Sequence, residues 1–295
     1  MAHLTIGLGI AGAPVVSASQ SWWTSLPYAQ FKRDPYFYVK HDTVFLVLAV
    51  GGIALLRYGG WSHASTEFGA AHLVWFPAFL YMTIMAHVFV HCASHQAWGR
   101  GTAGKVINRI AGEICGAWVL TKFASWEIVH RRHHRYTDDP AKDPHPAERG
   151  YWSYALNTLI NVEKQLQQEY FDCHGSTPER RRYEKFRSFY SFVSGVAVAL
   201  FVEQLFGLPF FLEVVGPSWI LAGLFVIHFN WVGHNAHTRD GAIEPTNLDH
   251  GWFWIGNRIF FGIYFHGSHH RMAMVFNPMN VPVRAPASAS AVAVA

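Results

Sequence analysis

Apolar positions in this chain come in long unbroken runs, not at the 3.6- or 2-residue spacing of a half-buried helix or strand. One run covers about 42–58 ("DTVFLVLAVGGIALLRY") and a second about 70–92 ("AAHLVWFPAFLYMTIMAHVFVHC"). A third lies at about 189–207, and a fourth, "GPSWILAGLFVIHFNWVGH", at about 216–234. A helix needs roughly 20 apolar residues to cross a bilayer, so these runs predict four membrane spans. Two further stretches, 107–121 and 252–265, are apolar but broken by Arg, Glu, Asn and Gly. They read as helices lying at the interface or packed beneath a cap. The expected fold is therefore all-α, a four-span transmembrane helical bundle. It forms a single domain over 1–284 with a flexible low-complexity tail, "APASASAVAVA", at 285–295.

Composition supports this reading. Charged residues make up 14% of the 295 positions, about half the share of a soluble domain. The formal charge of +4 comes without a basic tail, which argues against nucleic acid as a partner. Cys92, Cys115 and Cys173 are too few and too scattered for a disulfide framework or a Cys-based zinc site. The apolar N-terminus has no Lys or Arg ahead of it and reads as an ordinary segment, not a signal peptide. Charge also orients the spans. Residues 58–90 and 203–217 contain no Lys or Arg, and Arg57 alone sits at the outer end of a span. The remaining basic residues fall in the N-terminal segment, in 93–188 and near the C-terminus. By the positive-inside rule those three regions are cytoplasmic. Both termini and a cap assembled from three segments then share one side.

That cap gathers histidines. "HCASH" places His91 and His95 at i and i+4, and "HRRHH" places His130, His133 and His134 at i, i+3 and i+4. "NWVGH" brings Asn230 and His234, and "HGSHH" brings His266, His269 and His270. Each spacing puts its members on one helical face, and each box ends or follows an apolar segment. Nine imidazoles and an amide exceed the needs of one ion. Two first-row metals with four or five ligands each would use them all, with iron, zinc and copper equally suited to imidazole. Histidine abundance alone carries little, because ten of the 19 lie outside the boxes; the repeated spacing at one membrane face carries the inference.

Other chemistries fit less well. Carboxylate-bridged di-iron bundles need two Glu-x-x-His pairs and two more Glu, and the one pair here, Glu127 with His130, has no partner. HExxH and GxSxG are absent. A metal transporter would place its ligands near mid-bilayer, where His228 is the nearest ionisable residue.

Over about residues 70–276 the chain resembles the integral-membrane fatty acid desaturases and their hydroxylase relatives. The likeness is densest at "HCASHQAWG", "NRIAGEICGAWVLTKFASWEIVHRRHHRYTDDPAKDPHP", "NWVGH" and "FHGSHH". It implies a four-span fold with a cytoplasmic cap and two ferrous ions held by the histidine boxes, O2 being the co-substrate. It further implies that Asn230 holds a metal through a water. The first box departs from the animal acyl-CoA desaturases, which carry one more residue between its histidines. His237, shortly after the Asn-His box, is a possible extra ligand. No His-Pro-Gly-Gly heme motif occurs.

The expected function is O2-dependent desaturation of a fatty acyl chain, whether free acid, CoA, ACP or lipid ester. Fatty acid hydroxylation and decarboxylation to a terminal alkene are the alternatives on the same site. The chain has no flavin, nicotinamide or iron–sulfur fingerprint, so electrons would come from a separate ferredoxin, rubredoxin or cytochrome. Trp118, Phe123, Trp126, Trp252 and Trp254 could line an apolar slot; the alternative for each is core or interfacial belt. Asp138, Asp139, Asp143 and Asp249 could orient ligating imidazoles, Asp143 serving equally well as a turn or cap. The basic run 178–187 could meet an anionic head group, but a basic flank beside a span needs no such role.

Overall fold

A computed structural model describes residues 25–60, 65–148, 150–234 and 245–282. Among these the chain is helical, with one isolated bridge between Asn247 and Phe265. The elements are α1 (Pro27–Phe31), α2 (Phe37–Tyr58), α3 (Phe76–Ser94), α4 (Thr102–Trp118), α5 (Phe123–Arg135) and α6 (Tyr151–His174). They continue with α7 (Pro178–Phe206), α8 (Leu208–Gly233), α9 (Gly251–Ile259) and α10 (His266–Arg271). A 3-10 turn at Ala70–Trp75 leads into α3, and one π-helical turn, Phe211–Val215, interrupts α8.

Four helices are long and apolar enough to cross a membrane: Phe37–Tyr58, Ala70–Ser94, Pro178–Phe206 and Leu208–Gly233. They match the four expected runs, but the third starts at Pro178, not near 189. Thr177 caps it by accepting from the Arg180 N–H, with Pro at the first position, where its missing donor is harmless. The basic run 178–187 is therefore the first turns of α7. The interrupted stretches form α4 and α9, both amphipathic.

Helices α2 and α7 pack lengthwise through Ala49, Ala197 and Val198, and small residues let the backbones approach. Their outer faces stay apolar and bare, with Leu55 75% and Phe192 69% exposed, as lipid-facing surfaces are. At one end the pair closes on buried charge. Asp42 accepts from Lys122 Nζ at 2.8 Å and from the Ser191 hydroxyl, while Ser194 Oγ donates to the Asp42 carbonyl. Beside it His41 Nε2 meets Glu113 at 3.0 Å, and Glu113 pairs with buried Arg109 at 2.7 Å. Lys122 precedes α5, so this knot ties α2 and α7 to α4 and α5. Helices α3, α4 and α8 form the other half, where Gly112 and Gly116 let Phe123 at the start of α5 lie against α4.

Candidate metal centre

Each histidine box occupies a helix end, and the ends meet. His91 lies in the last turn of α3 and His95 caps it. His130, His133 and His134 lie on the inner face of α5, with His130 and His133 buried. His234 caps α8, and α10 supplies His266, His269 and His270. With only six residues, α10 needs outside support. Asn247 provides it, accepting from the Ser268 N–H and donating to the Ser268 hydroxyl, while the Gly267 N–H bonds the Thr246 carbonyl. At Gly233 a Cβ would sit 2.9 Å from the His266 ring, so glycine lets that imidazole reach α8.

The imidazoles fall into two groups, His91, His95, His130, His134 and His269 in one, His133, His234, His266 and His270 in the other. Within each group the ligand atoms lie within 4.8 Å of one another. In the first, Nε2 atoms approach at 2.7 Å (His95–His130), 3.0 Å (His91–His269) and 3.1 Å (His134 to both His130 and His269). In the second the separations are 2.7 Å (His234–His266), 3.2 Å (His266–His270) and 3.3 Å (His133–His270). Nitrogens about 2.1 Å from one ion and at right angles to each other stand about 3.0 Å apart, so these spacings suit shared ligation.

The carboxylates sit one shell outward. His133 Nδ1 lies 3.0 Å from both Asp143 oxygens, and His234 Nδ1 lies 3.0 Å from Asp138 Oδ2. With Nδ1–H donating, each ring directs an Nε2 lone pair inward. Asp143 itself accepts from the backbone N–H groups of Asp138 and His145. Burial holds the His130, His133, His266 and His269 rings well below the ordinary imidazole value, and neighbouring imidazoles add to the effect. Burial likewise takes His134 down to about 3 and pushes the Asp143 carboxyl up to about 7. Both directions favour uncharged partners, so these five rings are neutral nitrogen donors. Ring nitrogens this close together are placed so that a cation between them could bind several at once. A donor set made of imidazole alone suits first-row transition metals, not oxygen-preferring magnesium or calcium.

A cavity of about 320 Å³ reaches this cluster at His91 and His130. His87, Thr121, His145, Thr158 and Asn230 line it among apolar side chains such as Val119, Leu159 and Trp219. Trp126 lines it. Trp118 instead meets Trp219, ring centroids 5.9 Å apart, and donates to Thr83 Oγ1. Phe123 is buried against Val90 and Ala93. Trp252 and Trp254, 83% and 49% exposed, project from the outer face of amphipathic α9, and Arg258 stacks on Trp254 at 4.0 Å. Asp249 accepts from Asn257 and Arg258, not from an imidazole, because it lies beside α9. Asp139 serves the turn, accepting from the Ala141 and Lys142 N–H groups. Glu127 faces away, held by the Tyr28 N–H and Arg131. His237 lies outside the described residues, as does the 285–295 tail.

Two histidines outside the boxes reach the site. His87 extends the i, i+4 series of His91 and His95 back by one turn, a signal legible in the sequence; its Nδ1 donates to the Thr83 carbonyl. His145, from the "DPH" turn, lies with its ring 4.1 Å from that of His133 and is pushed by burial down to about 3.

Residues 68–277 match the sequence profile of the fatty acid desaturase family. A relative, the sn-1 stearoyl-lipid 9-desaturase of Synechocystis sp. (strain ATCC 27184 / PCC 6803 / Kazusa), is 24% identical over 191 residues. That alignment covers 62% of this chain and 54% of the relative, so the chain spans about half of that protein's length. No solved structure matches. The chain belongs to the fatty acid desaturase family.

Proposed function

We propose that this member of the fatty acid desaturase family is a membrane-bound, O2-dependent acyl desaturase whose two imidazole groups each hold one ferrous ion. The observation that carries this reading is the convergence of nine imidazoles, in two groups, beside a mostly apolar cavity that His91 and His130 line. When bound, the iron pair would supply the reduction of O2 and the removal of hydrogen from an unactivated C–H bond. The chain's own residues supply position and dryness. Asp143 and Asp138 keep His133 and His234 in the tautomer that offers Nε2. Trp126, Val226 and Phe229 wall the cavity beside the ligands and exclude water. Asn230 faces the same cavity and is assigned the water-mediated contact.

Forming one C=C bond takes two hydrogens from the acyl chain, and reducing O2 to two waters takes two further electrons and two protons. Those electrons are assigned to a separate ferredoxin, rubredoxin or cytochrome. On this reading the cluster and both termini lie on the cytoplasmic side, as the placement of basic residues favours, and residues 1–284 form one domain.

Product analysis tests the reading. The protein, expressed with a compatible donor, is compared with His133→Ala by mass spectrometry of lipid extract and headspace. An acid two mass units lighter than its parent, absent in the variant, is expected. A product sixteen units heavier would transfer the assignment to hydroxylation, and a volatile alkene one carbon shorter to decarboxylation.

A further inference from the structure

Helix α8 presents Trp219, Gly223, Val226, Ile227 and Asn230 to the cavity. Their spacing of four, three, one and three residues forms a single stripe. From Asn230 to Trp219 the stripe rises about 16 Å. Along α8, Gly223 and Trp219 lie about two and three turns from Asn230, and the rest of the lining is mostly apolar, with Val119, Leu159 and Ile227 beside the hydroxyls of Thr121 and Thr158. An amphipathic ligand seated here directs its apolar end toward Trp219, and Gly223 lies one turn short of it.

Gly223 is not explained by packing. A Cβ at Gly112, Gly233 or Gly256 would lie under 3 Å from Phe123, His266 or Tyr264, so those glycines permit close contact. At Gly223 an added Cβ meets nothing within 4 Å. Glycine inside a helix costs about 1 kcal/mol relative to alanine, and here no neighbour requires it. Gly51 and Gly195 have equally open surroundings, but neither lines the cavity. What distinguishes Gly223 is that the space above it is ligand space.

We propose that Gly223 sets the length of acyl chain the cavity accepts: its missing side chain leaves room for the last carbons of the chain. The proposal rests on the acyl reading above. A larger residue at 223 projects from α8 across the apolar end and shortens the seat without touching a metal ligand.

The test uses the full chain in nanodiscs. Saturated free acids of 8 to 18 carbons displace a fluorescent polyene fatty acid from the wild type, Gly223→Ala, Gly223→Leu and the control Gly195→Leu. Iron content is measured on each preparation. Excluding a methylene from a filled pocket costs about tenfold or more in discrimination. Gly223→Leu is therefore expected to weaken the longest acids bound by the wild type by about tenfold, with the shortest unchanged. Gly223→Ala should fall between, and Gly195→Leu should match the wild type. An unchanged length profile in both Gly223 variants would overturn the proposal, as would an equal loss at every length, which marks a general constriction. Failure of the acyl reading itself looks different: the wild type would then bind no acid of any length.

Discussion

Two regions of this molecule bury polar groups at the ends of apolar helices, and they do so by opposite means. Where α2 and α7 meet α4 and α5, every charge faces its complement: Asp42 with Lys122, Glu113 with Arg109 and His41. Where α3, α5, α8 and α10 meet, groups of the same kind face one another, imidazole nitrogen to imidazole nitrogen at 2.7–3.3 Å. The first region pairs its charges within the protein. The second could hold cations between its donors. Both places are largely buried, so complementarity separates a structural knot from a candidate binding site.

Substitutions can break this contrast. The largest effect is expected for His133→Ala and His269→Ala, which should abolish product formation and release metal while the protein still inserts in the membrane. Metal analysis and fractionation check this, and unchanged iron in both would remove the ligand assignment. Next comes the knot. Asp42→Ala leaves Lys122 buried without its partner and should destabilise the fold by about 3 kcal/mol. Metal per folded chain should stay unchanged, as read by chemical unfolding in detergent alongside metal content. Equal loss of metal and stability would erase the distinction between the regions.

Smaller effects sharpen the comparison. Asp143→Asn should weaken metal binding by about 10- to 100-fold in a chelator competition, whereas Asp249→Asn, which disturbs only the Arg258 and Asn257 contacts, should leave it unaltered. The smallest effect concerns pH. His134 and His145 are held near 3 in the fold, against about 6.5 in an unfolded chain. Above 6.5 both states are neutral and nothing is gained or lost. As pH falls below 6.5 the unfolded chain binds protons that the fold refuses, so the metal-free protein should lose stability progressively. A metal-free unfolding midpoint that holds level from pH 7 to 4.5 would contradict the burial of these rings.

Much of this was legible in the sequence. Four apolar runs marked the four long helices, and the repeated i, i+3, i+4 spacing marked the helix faces that meet. The first box alone, extended backward, points to His87. The rest depends on long-range contact. The sorting of nine histidines into groups of five and four follows from how α10 docks through Asn247 on the end of α8, a contact between segments that no local spacing encodes. His145 reaches His133 through the fold of its turn. The aromatic residues were the least legible. Amphipathic stretches such as 252–265 contain Trp on both readings, and only the rotation of α9 turns Trp252 and Trp254 outward. The helical start of α7 was written in Thr177-Pro178, a cap signal hidden by the run of charges that follows it.

The two imidazole groups are proposed as two separate metal sites. The most direct test is the iron stoichiometry of the purified full chain, expressed with iron and read by elemental mass spectrometry beside His91→Ala/His134→Ala and His234→Ala/His266→Ala. Two irons per wild-type chain are predicted, with about one retained when either group alone is disabled, since each has its own donors. A wild type that holds at most one iron, its content unaltered by either double substitution, would contradict the claim.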